Sequence, residues 1–260
     1  FRSQKRGLNR AEHRLHLRCE LPHHTTLPLF EKLVGREPVS LVSLMDHSPG
    51  QRQFANIEKY REYYQGKYSL SDAEMARYEE EQLALAARWS QPNRVRIAAM
   101  CRDRNIALAS HDDATHDHVL ESHQLGSVIA EFPTTFEAAE ASRKHGMNVL
   151  MGAPNIVRGG SHSGNVAASK LASLGLLDIL SSDYYPASLL DAAFRVADDE
   201  GNRFTLPQAI RLVTKNPASA LNLQDRGEIA EGKRADLVLA HRRGEHVHID
   251  HVWRQGKRVF

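Results

Sequence analysis

The chain has 260 residues, 41% of them hydrophobic and 25% charged, with a formal net charge of +2. That is the make-up of a globular protein, and it excludes a disordered chain and a strongly basic nucleic-acid-coating surface. Two cysteines are too few for a disulfide framework and point to a reducing cytoplasm, no apolar run approaches the length of a membrane span, and 15 histidines hint at site chemistry.

In chain order, Leu15–Cys19 reads as a strand ending in Glu20, and Thr26–Val34 as a helix stopped by Gly35. Val39–Met45 is a strand running into Asp46-His47. Ser71 and Glu74 form a capping box that opens a helix with Met75, Tyr78, Leu85 and Trp89 on its apolar stripe. Pro92 is expected to break that helix, with a further helix running towards Arg104. Ile106–Ser110 is a strand ending in His111-Asp112-Asp113, and Val128–Phe132 is the next strand. Thr134 to Glu137 reads as a second capping box, for a helix stopping at Gly146. Val149–Met151 and Leu177–Leu180 are strands, with a helix over Val166–Leu174 between them. Leu189–Ala197 and Leu206–Val213 are helices. From Gly227 the texture changes to short strands and glycine turns, which predicts a boundary between residues 1–226 and a C-terminal β-segment, 227–260.

Alternating strands and helices of this spacing mean parallel α/β architecture, either a (β/α)8 barrel or an open doubly wound sheet. Glu20, His47, His111, Asn155 and Asp183 all fall at or just after strand ends, the face on which barrel active sites are built, and this favours the barrel. The pattern shows six strands where a closed barrel needs eight, which predicts two more upstream of Phe1. On that expectation the 260 residues alone form an incomplete, inactive barrel.

Glu20, His47, His111 and Asp183 offer imidazole nitrogen and carboxylate oxygen, the donors a divalent Zn, Mn or Fe site uses. A catalytic ion keeps a position open for water, and a carboxylate beside it can take and return a proton. Asp183, after the last strand, suits both metal contact and acid/base. Asp112 and Asp113 are expected to orient His111. His116-Asp117-His118 and His246-Val247-His248 look like ligand pairs but are read as decoys. The run Arg158-Gly159-Gly160-Ser161-His162-Ser163-Gly164-Asn165 follows a strand and leads into a helix. Converging backbone N–H groups and an arginine clamp there predict phosphate binding. Arg52, His23 and His24 are further candidates for the same anionic substrate.

The segment Gly227 to Leu239 and the stretch Leu206 to Ala218 resemble the closing motif and last helix of the amidohydrolase superfamily. Leu17 to Glu20, Met45 to His47, His111 to Thr115, Gly152 to Asn155, Arg158 to Asn165 and Ser182 to Pro186 extend the resemblance along the whole chain. The resemblance implies a hydrolase with one or two divalent metal ions, releasing pyrophosphate from a ribose 5-triphosphate that bears a 1-methylphosphonate. It implies a small-molecule substrate of phosphonate degradation; the near-neutral charge and the lack of a long apolar run point away from nucleic-acid and membrane partners, and a homo-oligomer is one possible state. The superfamily's first-strand metal motif has no match here, and Glu131 stands where many members carry a histidine. The competing readings are a C–N hydrolase or deaminase, and a non-catalytic fragment or scaffold subunit.

Overall fold

The computed structural model describes residues 1–36, 38–160, 164–244 and 246–260. After one helical turn, α1 (Arg2–Lys5), the chain alternates β1 (Leu15–Glu20), α2 (Thr26–Val34) and β2 (Val39–Met45). A 3-10 turn (Arg52–Phe54), α3 (Ile57–Tyr68) and α4 (Asp72–Asp103) lead to β3 (Ala107–His111), α5 (His116–Gln124), β4 (Ile129–Glu131) and α6 (Phe136–Lys144). Then come β5 (Asn148–Gly152), α7 (Ala153–Arg158), α8 (Ala168–Ser173) and β6 (Ile179–Ser181). The remainder is α9 (Ser188–Asp198), α10 (Leu206–Arg211), α11 (Lys215–Ala220) and three strands, β7 (Leu237–Arg243), β8 (His246–Arg254) and β9 (Lys257–Arg258).

Strands β1 to β6 follow chain order in a parallel β/α series, six of the eight a barrel requires, and β7-β8-β9 form an antiparallel sheet. The chain divides into two compact units: residues 15–149, and residues 1–14 with 150–260.

In the 15–149 unit the strand residues alternate sharply. Cys19, Val42, Leu44 and Leu108 face a buried cluster with Phe30, Val34, Ile97, Ala98 and Cys101 from the covering helices. The opposite face carries His16, Arg18 and Glu20 on β1, Ser43 on β2, His111 on β3 and Glu131 on β4, because successive strand side chains point to opposite sides. The register sets Glu20 beside Met45, Arg18 beside Ser43, and His111 beside Glu131. Burial of the apolar face, at about 25 cal/mol per Å2, fixes the register and thereby the polar row.

Two local expectations change. Helix α4 runs unbroken through Pro92. A mid-helix proline costs about 3 kcal/mol; here the following turn is pinned from outside. Asn93 Nδ2 donates to the Leu21 and His23 carbonyls at 2.8 and 3.0 Å, and Arg94 pairs with Glu121 and Asp46. The cap of α6 is Thr135, whose hydroxyl accepts from Ala138 N, and Glu137 instead accepts from His116 N. The Ser71–Glu74 capping box forms as expected.

Candidate metal and anion sites

Among the described residues, one set of three possible ligand atoms lies within 4.8 Å of one another, contributed by His47, His111 and Asp112. All three come from the C-terminal ends of β2 and β3. His111 is the last residue of β3, and Asp112 follows it in left-handed backbone, φ 56°, which turns its carboxylate back over the strand ends. Asp112 Oδ2 lies 3.6 Å from His47 Nε2 and 3.4 Å from His111 Nε2.

Each imidazole is held from behind by a carboxylate. Glu20 Oε2 lies 2.6 Å from His47 Nδ1, and its Oε1 accepts from the His47 backbone N–H. Glu131 Oε2 lies 2.7 Å from His111 Nδ1. Arg18 Nη2 reaches His111 Nε2 at 2.9 Å. A guanidinium only donates, so His111 Nε2 is an acceptor and the ring proton is on Nδ1. Burial opposes the charged form of His47, yet the carboxylates of Asp112 and Glu20 beside it outweigh this and lift its pKa to about 9. Burial likewise opposes ionisation of Glu131, but the hydrogen bond from His111 and the charges of His111 and His16 hold it below the usual carboxylate range.

Asp113, next to Asp112, points elsewhere. It pairs with Arg52, whose Nη2 also donates to Glu121 at 3.0 Å, and Glu121 accepts from Arg94 at 2.7 Å. Asp46 closes the network through Arg94 and Ser48. Arg52 is 3% exposed, and burial with the nearby Arg94 charge lowers its pKa to about 10. The structure thus places Arg52 in the interior with carboxylate partners. His23 and His24 are exposed and stacked on each other at 4.5 Å, with His23 Nδ1 bonded to Thr25.

The other sequence candidates lie in the unit that holds residues 150–260. Asn155 to Arg158 belong to helix α7, opened by Pro154 in its first turn and closed by Gly159 at φ 81°. Arg158 Nη1 donates to the Tyr184 hydroxyl at 2.9 Å, and Asn155 Oδ1 accepts from Ala168 N at the start of α8. Gly160 and Asn165 follow as candidates; Ser161, His162 and Ser163 lie outside the described residues. Asp183 sits two residues after β6, also left-handed at φ 47°, with Oδ2 3.5 Å from where a Cβ on Gly152 would lie. The decoy histidines take ordinary places, His116 and His118 in the first turn of α5, and His246 and His248 on β8.

The family model described as the amidohydrolase family matches residues 11–260. The chain belongs to that family. As an amidohydrolase it is 89% identical, over 258 residues, to the alpha-D-ribose 1-methylphosphonate 5-triphosphate diphosphatase of Escherichia coli (strain K12). That match covers 99% of this chain and 68% of the relative. It is 34% identical over 110 residues to the adenine deaminase of Ligilactobacillus salivarius (strain UCC118), 41% of this chain and 18% of that protein. Among solved structures, D-hydantoinase matches at 12% identity and a TM-score of 0.48 over 97% of this chain and 70% of that one. No described helix is long and apolar enough to cross a membrane, and both cysteines are free and buried.

The sequence-based set of Glu20, His47 and His111 is brought together in one unit. Glu20 stands behind His47, and Asp112, expected to orient His111, contributes to the donor triangle itself. Arg18 and Ser43 were not singled out. Their signal was present in the alternation of Leu15-His16-Leu17-Arg18-Cys19-Glu20, but alternating polar residues on a strand ordinarily read as a solvated face.

Proposed function

We propose that this chain carries the hydrolytic portion of a metal-dependent diphosphatase that releases pyrophosphate from α-D-ribose 1-methylphosphonate 5-triphosphate in phosphonate degradation. The observation that carries this reading is the 89% identity, over 99% of this chain, to a protein of that name.

The residues fit a divalent ion. Nε2 of His111 and Oδ2 of Asp112 are acceptors that face each other at 3.4 Å, and the Arg18 guanidinium already brings positive charge to that spot. Neutral imidazole with carboxylate suits Zn, Mn or Fe. A bound ion supplies Lewis acidity and lowers the pKa of a bound water towards neutrality. His47, His111 and Asp112 hold it, Glu20 and Glu131 fix the two rings, and we retain Glu20 and Asp183 as further contacts. Asp183 takes the proton of the attacking water and returns it to the leaving group. Arg158, Gly159, Gly160 and the stretch to Asn165 bind phosphate or phosphonate oxygens. Arg52 and Asp113 brace the strand end beneath Asp112. Residues 1–226 carry the chemistry and 227–260 a separate β-segment, in keeping with the last parallel strand at Ser181 and the first antiparallel one at Leu237. We place the protein in the cytoplasm.

A second reading, C–N hydrolysis, is favoured by the 34% match to an adenine deaminase. The natural protein containing this chain, loaded in turn with Zn, Mn and Fe, is assayed with the ribose triphosphate and with adenine. Pyrophosphate release is the expected outcome. Ammonia from adenine, with the triphosphate left intact, would replace the first reading by the second.

A further inference from the structure

Behind His111, the carboxylate that holds the ring is itself set among further buried polar groups. Glu131 is 5% exposed and Ser43 fully buried, so neither is a solvated surface residue. Glu131 accepts from His111 Nδ1–H at 2.7 Å, and the nearby Ser43 hydroxyl helps to hold its carboxyl below the usual range. Ser43 Oγ lies 2.5 Å from His16 Nε2. The donor arithmetic closes in one way. A carboxylate only accepts, so Ser43 O–H donates to Glu131, and the Ser43 oxygen accepts from His16 Nε2–H. The line runs His16, Ser43, Glu131, His111, and its members come from β1, β2, β4 and β3, four consecutive strands of the sheet. The β3–β4 register puts His111 and Glu131 directly opposite each other, so the backbone itself delivers the carboxylate to the ring.

We infer that Glu131, braced by Ser43, is a positioning residue that locks His111 as its Nδ1–H tautomer and so presents Nε2 as a metal-facing lone pair. This rests on the metal-site reading above. Imidazole offers two nitrogens, and a ring free to choose would spend part of its time with Nε2 protonated and unable to ligate. A carboxylate on the far nitrogen removes that choice, fixes the ring plane and raises ligand basicity. Glu131→Gln keeps an acceptor but loses the charge, whereas Glu131→Ala loses both. Ser43→Ala leaves the carboxylate in place and removes only its brace.

The test uses Co(II) alone as probe, titrated into the protein against a competing chelator. Loss of such an outer carboxylate weakens metal binding by about 10–100-fold. The expected order of affinity is parent, Ser43→Ala, Glu131→Gln, Glu131→Ala. Nitrogen-15 spectra of the His111 ring in metal-free protein should show one Nδ1–H tautomer in the parent and a mixture in Glu131→Ala. The isosteric Glu131→Gln supplies the affinity measurement if the alanine variant does not fold. Parent-like Co(II) affinity in the Glu131 variants, with His111→Ala binding weakly, overturns the Glu131 role and leaves the metal site standing. Parent-like affinity in both His47→Ala and His111→Ala overturns the metal-site reading, and the Glu131 role with it.

Discussion

Asp112 and Asp113 are neighbours in sequence and both nearly buried, at 6% and 1% exposure, yet they serve opposite ends. Asp112 faces two imidazole nitrogens and no arginine within ion-pair distance among the described residues, so a metal ion that displaces the His47 proton can take its charge. Asp113 is matched by Arg52, and the charges around it continue through Glu121, Arg94 and Asp46. One cluster sets two imidazoles and a carboxylate around a single point; the other alternates arginines with carboxylates in successive ion pairs. The difference lies in how the charges are compensated, since carboxylates and nitrogenous bases make up both. A buried pair whose partners satisfy each other holds the strand end still, and a buried set of acceptors that do not is a place for a cation.

That contrast is sharpest if variants of the two clusters fail in different ways. Asp183→Asn tests whether the strand-end carboxylate of the other unit belongs with the functional class. Turnover should fall about 100- to 10,000-fold, the usual range for a general acid or base, with metal binding weakened and the melting temperature near the parent's. Near-normal turnover would remove Asp183 from the chemistry. Arg52→Ala should do the reverse. It leaves Asp113 buried without its partner, which costs about 3–5 kcal/mol, so denaturant unfolding should move sharply while Co(II) stoichiometry per folded molecule is kept. A stable Arg52→Ala protein with weakened substrate binding would return Arg52 to the anion site. Arg158→Ala should raise KM by about 10- to 100-fold with kcat little changed, since a charge-assisted hydrogen bond is worth about 1.5–3 kcal/mol. A fall in kcat alone would place Arg158 at the reacting phosphorus.

The sequence made the strand ends legible because each parallel strand is a short apolar run followed by a polar residue, as at Met45-Asp46-His47 and Ser110-His111-Asp112. It could not separate Asp112 from Asp113. That depends on the left-handed turn at Asp112, which sends adjacent side chains in different directions. Helix α3 also went unread. Its start is set by Asn56 accepting from Lys59 N, and its inner side by aromatic packing of Phe54, Tyr60 and Tyr64, with little apolar periodicity to announce it. Pro92 misled for a related reason: local propensity marks a break, and the buried Asn93 and Arg94 contacts that override it come from residues far along the chain. Helix α7 hid inside what reads as a glycine-rich loop, although Pro154 and Gly159 stand where a short helix begins and ends.

The smallest effect concerns an ion cluster on the surface, made of the same residue types as the buried one. Glu12 accepts from Arg234 and Arg14, each at 2.7 Å, and from Arg226 at 3.4 Å. The Arg234 hydrogen bond is the chief cause of its lowered pKa, about 2; burial opposes it, and Arg14 and Arg226 add to the lowering. A carboxyl depressed in the folded state contributes stability that is fully present above its unfolded value near 4.5 and is lost as pH falls from there towards 2. Solvent reaches the group, so screening limits the contribution to about 1 kcal/mol or less. Glu12→Gln should therefore melt slightly below the parent at pH 6, with the gap narrowing from about pH 4.5 and closing as pH falls through about 2. Raising salt at pH 6 should narrow it as well, because exposed pairs are screened. The buried Arg52–Asp113 pair, with 2% and 1% side-chain exposure, should show no comparable salt dependence. A salt-insensitive Glu12 gap of several kcal/mol would mean that its cluster behaves as a buried one, and that exposure is not what separates the two networks.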